Sequence, residues 1–385
     1  MSDIVAVLGT RPEIIKMAPL IVELMRRDAD FRVVNTQQHY DYEMSKSFLD
    51  VFNLPDSDYS LGVKSGTHAE QTSKAMIGIE NVIQKEKPKI VVAEGDTNSV
   101  LAAGIASAKM RTPFGHVEAG LRSFDRIMPE EVNRVIVDHC SELLFAPSPL
   151  AVKHLKDEGI QDGVFMTGNT VVDAVKQLEP KLNTNILENL SLEKQGYVLV
   201  TAHRSENVDI EENCRNIVAA ITSLEYPVAY PIHPRTLNFF QRFGLLDKLK
   251  QSKNVKLTKP LGYFDFLSLL KYSKLVLTDS GGLQEEAVLL HVPCITMRNN
   301  TERQETVESG ANILVGTDKN RIVSTVNSIL SNSKLDAKMR SVDSPYGDGT
   351  AGEQIVAILE DQVTHGLKVR SSNFIQGAPT PRRKA

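Results

Sequence analysis

Along the first half of the chain, short runs of β-branched and other apolar residues alternate with longer stretches whose apolar positions recur every three to four residues. The runs at 4–8, 32–35, 90–93, 114–117 and 143–146 predict strands, and the stretches at 14–27, 69–85 and 99–110 predict amphipathic helices between them. Apolar strands separated by helices are the pattern of βαβ units, which build a parallel sheet covered by helices on both faces. From 180 to 195 the texture changes to PKLNTNILENLSLEKQ, polar and without a clear period, and this reads as a domain junction. The pattern then restarts, with strands predicted at 197–201, 228–231, 255–257, 275–278, 294–297 and 313–315.

The expected fold is therefore α/β, with two Rossmann-like parallel-sheet domains facing a cleft. Residues 1–175 form the first domain and 176–350 the second. A last helix at about 351–367 comes after the second domain is complete and is expected to pack back on the first. The tail at 368–385 holds Pro379, Pro381 and several basic residues, and is expected to be disordered. Ligands of such sheets bind beyond the carboxyl ends of the strands. The informative residues should sit just after predicted strands.

Composition narrows the chemistry. The 385 residues are 41% hydrophobic and 24% charged, ordinary for a globular protein. The 44 basic against 48 acidic residues give a net charge of −4. That weighs against a nucleic-acid or anionic-membrane partner and leaves anion binding to a few placed groups. No apolar run approaches the roughly 18 residues that cross a bilayer. The opening MSDIVAVLGTRPE has no basic start or cleavage site, so no signal peptide is expected. Cys140, Cys214 and Cys294 are scattered and without C-x-x-C spacing. They predict neither a disulfide framework nor a thiolate metal site, and place the chain in the reducing cytoplasm.

Two turns suit phosphates. In LGTRPEIIK, a predicted strand ends at Gly9 and a helix follows Pro12, so Arg11 and Lys16 would flank a helix N-terminus and clamp a phosphate. The plainer alternative is a capped turn with two solvated cations. In VLTDSGGLQEEA, Ser280, Gly281 and Gly282 follow a strand and open a helix. The glycines let the backbone approach a ligand and aim amides at it. Glu286, one turn in, suits a ribose diol. The chain has no G-x-G-x-x-G and no G-x-x-x-x-G-K-[ST], which weighs against a nicotinamide dinucleotide and a P-loop; no cofactor is expected.

Acids and histidines complete the candidates. Asp96 in VVAEGDTNS and Glu118 in FGHVEAGLRS each fall just past a strand, and neighbouring strands lie only about 5 Å apart. Asp96 alone could equally be an N-cap. Glu130 and Glu131 open a helix in MPEEVNR, where Glu130 could simply pair with Arg134 four residues on. Clustered carboxyls raise one another's pKa, which divides acid from base roles. His203 and Arg204 in TAHRSEN follow the first strand of the second domain, and His233 repeats the arrangement one strand later. A histidine there could steady a leaving phosphate or exchange a proton.

Together these stretches resemble the non-hydrolysing UDP-N-acetylglucosamine 2-epimerases. The matching pieces are GTRPEIIKMAPL, QHYDYEM, GDTNS, GHVEAGLRS, MPEEVNR, GNTVVDA, TAHRSEN, TDSGGLQEEA, MRNNTERQETV and PYGDG, in order from residue 9 to about residue 349. The resemblance implies a fold like the two-domain GT-B glycosyltransferases. It implies reversible inversion at C2 of UDP-GlcNAc to UDP-ManNAc, by loss and re-addition of UDP through a 2-acetamidoglucal. It assigns catalysis to Asp96, Glu118, Glu130 and His203, with Glu131 the alternative to Glu130. Nucleotide contacts fall on Arg11, Lys16, Phe266, Ser280, Gly281, Gly282, Glu286 and Arg303. Arg204 and His233 join the substrate-binding set. The family is commonly dimeric, so a homodimer is expected.

The resemblance does not fix everything. SFDRIMPEE looks like the same stretch in relatives acting on UDP-2,3-diacetamido-glucuronic acid, which leaves the sugar open. Many bacterial members have QHREM where this chain has QHYDYEM, and an effector UDP-GlcNAc binds near that segment in them. The basic residue of that region is not evident in residues 66–71, so activation by a second substrate molecule also stays open. A GT-B glycosyltransferase, a hydrolysing epimerase and a non-catalytic UDP-sugar sensor are the competing readings.

Overall fold

The β-branched runs pair into two sheets, each parallel throughout. A computed structural model describes residues 2–38 and 49–366. In the first sheet, strands β1 (Ile4–Leu8), β2 (Phe31–Asn35), β3 (Tyr59–Ser60), β4 (Ile90–Glu94), β5 (Phe114–Val117), β6 (Leu143–Ala146) and β7 (Val164–Met166) lie in the order β3-β2-β1-β4-β5-β6-β7. In the second, β8 (Val198–Val200), β9 (Val228–Pro231), β10 (Val255–Thr258), β11 (Leu275–Thr278), β12 (Cys294–Thr296) and β13 (Asn312–Leu314) lie in the order β10-β9-β8-β11-β12-β13. Each order reverses beside its first strand, at β1/β4 and β8/β11, which opens a crevice at the carboxyl ends. The central strands are apolar on both faces because both faces are covered: β1 and β4 are buried at every residue.

Two strands go beyond the predicted set. β3 is only two residues long, too short to show a period, and β7 has three residues with Met166 exposed. Both lie at sheet edges, where burial cannot mark them. The segment at 180–195 is also more ordered than its polarity suggests. It holds a 3-10 turn at Glu179–Lys181 and a helix at Asn185–Asn189, and it buries Leu182, Ile186 and Leu187. These join one core with residues of both sheets, among them Val92, Val117, Leu199 and Val276.

The helix Ala351–His365 lies on the helix Arg11–Arg26, where Gly352 sits so close to Pro19 that an added Cβ would lie 3.0 Å from its backbone. Arg27 pairs with Glu360 across the same contact at 2.9 Å. Residue 367, the tail and residues 39–44 of QHYDYEM lie outside the described residues. Among the described residues, no helix is long and apolar enough to cross a membrane, and no group of His, Cys, Asp and Glu is placed to hold a metal ion.

Candidate active site

The carboxyl end of β1 turns at Gly9, where a Cβ would collide with the side chains of Thr36 and Ser99. Thr10 then opens the helix Arg11–Arg26, with Pro12 in its first turn and Glu13 accepting from the Thr10 amide at 3.0 Å. Arg11 stands at that helix start. Lys16 does not flank it. One turn further in, its ammonium is buried among carboxyls: it pairs with Glu118, with Glu94 at 3.2 Å and with Glu285 at 3.6 Å.

This first cluster joins the two sheets. Glu94 ends β4 and stands opposite Val117 of β5, and Glu118 follows that residue. Glu285 and Arg303 come from the second half of the chain. Arg303 reaches both oxygens of Glu118 at 3.2 Å and Glu285 at 2.7 Å. The Asn169 amide donates to Glu118 at 2.6 Å and to Glu285 at 2.7 Å. Burial alone would raise the Glu118 pKa, but Arg303 and Lys16 outweigh it and hold the carboxyl below the ordinary range. Burial likewise opposes the charge on Lys16, and Glu118, Glu94 and Glu285 more than offset it, so its pKa is raised. Glu94 has weaker compensation, and burial lifts it well above the ordinary range. Burial pushes Glu285 up to about 7. Glu118 sits in the left-handed region at φ 71°, a strain of about 1–3 kcal/mol that sites retain when it aims a functional group.

Asp96 lies two residues beyond Glu94 and belongs to a second cluster. Arg134 donates to Asp96 at 2.6 Å and to Glu131 at 2.6 Å. The plainer reading of Glu130, a pair with Arg134, is thus not what forms, because Arg134 turns toward Asp96. Glu131 is buried and fully engaged, accepting from the amides of Ser123 and Phe124, each at 2.9 Å. Glu130 is left partly exposed and faces Arg204 of the other sheet at 3.7 Å. Glu302 joins the clusters: it pairs with Arg298 at 3.0 Å and Arg204 at 3.7 Å. Burial would raise its carboxyl, but Arg298, Arg134, Arg204 and Arg303 hold it well below the ordinary range.

A buried histidine braces both acid-bearing turns. His116 on β5 sets one ring nitrogen 2.6 Å from Asp138 and the other 2.8 Å from the carbonyl of Gly95, the residue before Asp96. Asp138 also accepts from Arg122 and from the amide of Gly120, two residues after Glu118.

On the second sheet, Asp279 follows β11 and gathers the TAHRSEN loop. It accepts from the amides of His203 at 2.9 Å and Arg204 at 3.0 Å and from the Asn207 side chain at 3.1 Å. The His203 ring lies 3.2 Å from the same carboxylate and 5.7 Å, centroid to centroid, from His233. The His233 ring caps its own helix by accepting from the Arg235 amide at 3.2 Å. Ser280 begins the helix Gly281–Leu289 without a side-chain cap bond. A Cβ at Gly281 would strike the Glu302 carboxyl, whereas Gly282 faces open space. Phe266 is partly buried against the core.

Glu286 accepts from the Tyr263 hydroxyl at 2.9 Å. Burial lifts its carboxyl to about 7, against the lesser opposing effect of that bond. The unfolded chain therefore releases this proton first as pH rises. Stability contributed here is expected to fall between about pH 4.5 and 7 and then level off, by on the order of 3 kcal/mol. Urea unfolding of wild type and Glu286→Gln at about pH 5 and about pH 8 checks this: the variant should lose less stability over the interval.

Residues 298–305 cross from the second sheet to the first. Asn300 donates to Asp125 at 3.0 Å, Gln304 to the Arg122 carbonyl at 3.0 Å, and Glu305 accepts from Ser148. The structure thus joins Lys16, Glu118 and Arg303 directly, and links Asp96, Glu130 and Arg204 through Arg134 and Glu302. Sequence reasoning did not single out Glu94, Glu285, Glu302, Asn169 or Asp279. Glu94 and Asp279 could have been found by their place at strand ends; the others depend on how the two sheets meet.

Two parallel α/β sheets with cationic and acidic groups converging between their carboxyl ends define a class of two-domain enzymes that handle anionic ligands in the cleft. The sequence matches the family described as UDP-N-acetylglucosamine 2-epimerase over residues 23–360, and the chain belongs to that family. A UDP-N-acetylglucosamine 2-epimerase of Methanocaldococcus jannaschii is 48% identical, over 92% of this chain and 97% of that protein. The crystal structure of an M. jannaschii UDP-GlcNAc 2-epimerase in complex with UDP-GlcNAc and UDP superposes with a TM-score of 0.87 at 46% identity, covering 93% of this chain and 99% of the other. A UDP-2,3-diacetamido-2,3-dideoxy-D-glucuronate 2-epimerase of Pseudomonas aeruginosa is 38% identical, over 92% and 99% of the two chains.

Proposed function

We propose that this enzyme inverts C2 of UDP-GlcNAc to give UDP-ManNAc, by expelling UDP to form a 2-acetamidoglucal, delivering a proton to the other face of C2 and rejoining UDP to C1. The C2 hydrogen is not acidic in the intact sugar. As the C1–oxygen bond to UDP breaks, positive charge at C1 acidifies it, and a carboxylate removes it. A second carboxyl returns a proton to the opposite face. The convergence of Asp96, Glu118 and Glu130 with Lys16, Arg204 and Arg303 drawn from both sheets carries this reading.

In this reading Asp96, Glu118 and Glu130 exchange the proton, and Glu130 serves rather than Glu131, whose oxygens are committed to Arg134 and two amides. His203, Arg11, Lys16, Arg204 and Arg303 stabilise the departing diphosphate, as cations fixed before the charge develops do best. The amides at Ser280–Gly282 take a phosphate, Phe266 the uracil and Glu286 the ribose, with His233 beside His203. The domains divide near residue 175, and the enzyme works in the cytoplasm as a homodimer without a cofactor.

Incubation with UDP-GlcNAc in deuterated water, followed by NMR, tests the reaction. UDP-ManNAc carrying deuterium at C2 is expected. Product retaining protium at C2 overturns the mechanism, and turnover of the diacetamido-glucuronic analogue alone moves the substrate to that sugar.

A further inference from the structure

The first cluster holds an odd number of charges. Within it, two cations, Lys16 and Arg303, face three carboxyls, Glu94, Glu118 and Glu285, and all five side chains are buried. An unbalanced charge in such a place is far costlier than a bound proton, so one carboxyl keeps its proton. The surroundings decide which one. Glu285 is met by Arg303, by the Asn169 amide and by Lys16. Glu118 is met by Lys16, by Arg303 at both of its oxygens and by the Asn169 amide. Glu94 has Lys16 alone, at 3.2 Å. Its carboxyl and that of Glu118, carried at the ends of neighbouring strands, meet the same Lys16 ammonium, and two carboxyls so placed can bond to each other only with one proton between them.

We infer that Glu94 and Glu118 share a single proton, and that this lets Glu118 act as base in one direction of a reversible proton exchange and as acid in the other. With the proton on Glu94, Glu118 is an ionised acceptor. When the proton crosses the hydrogen bond, the O–H bond on Glu94 breaks, one forms on Glu118, and Glu118 becomes a donor. The pair's total charge is unchanged, so Lys16 and Arg303 need not move. Glu94 acts through Glu118 and is a positioning residue. The groups that face it are Lys16 and Glu13 from the helix Arg11–Arg26 and Glu118 beyond β5, with Glu285 and Arg303 behind Lys16 from the other sheet. The catalytic part of the inference rests on the epimerase reading; the shared proton does not.

The test is Glu94→Gln. The amide still donates to Glu118 but cannot pass a proton back. The expected result is a kcat lower by roughly 10²-fold, the low end of what placed proton transfer contributes, with KM nearly unchanged. The alkaline fall in kcat, where wild type loses the shared proton, should disappear from the variant's pH profile. Wild-type kcat with an unaltered profile overturns the inference, as does a loss confined to KM. Infrared difference spectra of the protein without substrate read the pair itself: a protonated-carboxyl band present in wild type at neutral pH should be missing from Glu94→Gln. Absence of that band in wild type also overturns it. If Glu94→Gln does not fold, the same band is read in Glu118→Gln, where removing the partner should abolish or shift it; an unchanged band counts against sharing. Failure of wild type to form any epimer, with the band present, would refute the epimerase reading and leave the shared proton standing.

Discussion

Glu118→Gln is expected to lower kcat by roughly 10²–10⁴-fold, the range that positioned proton transfer contributes. The variant should nonetheless stay folded. Removing one of three carboxyls leaves Glu94 and Glu285 against Lys16 and Arg303, so the cluster balances by releasing its extra proton. The usual penalty for breaking a buried ion pair, about 3–5 kcal/mol, comes from stranding a charge. Here both cations keep a carboxylate. Product formation followed by NMR beside a thermal melt separates the two effects: a large loss of rate with a small change in Tm is expected. A collapse in Tm of the same size as the loss of rate would show Glu118 to be a structural anchor only.

Asp279→Asn should do the reverse and act first on stability. The buried carboxylate accepts from two amides and one side-chain amide and faces the His203 ring. Burial would raise its pKa, yet His203 and those N–H groups hold it below the ordinary range. An asparagine replaces one acceptor oxygen with a donor, which must point at another donor. The expected cost is about 3–5 kcal/mol, read from the shift in urea midpoint. Turnover should fall as well, because the amides of His203 and Arg204 lose the group that sets their loop. Full stability in the variant would show that water supplies the missing acceptor.

Much of this architecture is written in the chain as a period. β1, β5, β6, β9 and β11 have the bounds their apolar runs predict, because a strand buried on both faces is apolar at most of its positions. β3 and β7 escape because an edge strand buries little and signals little. Leu182, Ile186 and Leu187 were hidden within a polar segment because three apolar positions are enough to seat a short helix on a core built by distant residues. The site divides in the same way. Asp96, Glu118 and His203 are legible as polar residues immediately after strands. Lys16 was legible as a cation near a helix start, but its direction was not, since only the approach of Glu94, Glu118 and Glu285 from three other segments determines it. Glu130 and Arg134 look like a helical pair until Asp96, thirty-eight residues before Arg134, competes for the guanidinium. Glu302 and Arg298 share a helical spacing too, and nothing local shows that Arg204 will join them.

The segment 298–305 bridges the cleft as one continuous ribbon, with Asn300, Arg303, Gln304 and Glu305 each fastened to the opposite lobe. A nucleotide sugar has to pass between those lobes in both directions. Fasteners strung along one ribbon come undone in succession, like a zip, with each lost bond exposing the next to water. Asn300 and Gln304 are half-buried at the rim while Arg303 and Glu305 are buried deeper, so any opening of the cleft is expected to begin at the first two. Release rate and chemistry can therefore drift independently as the sequence changes.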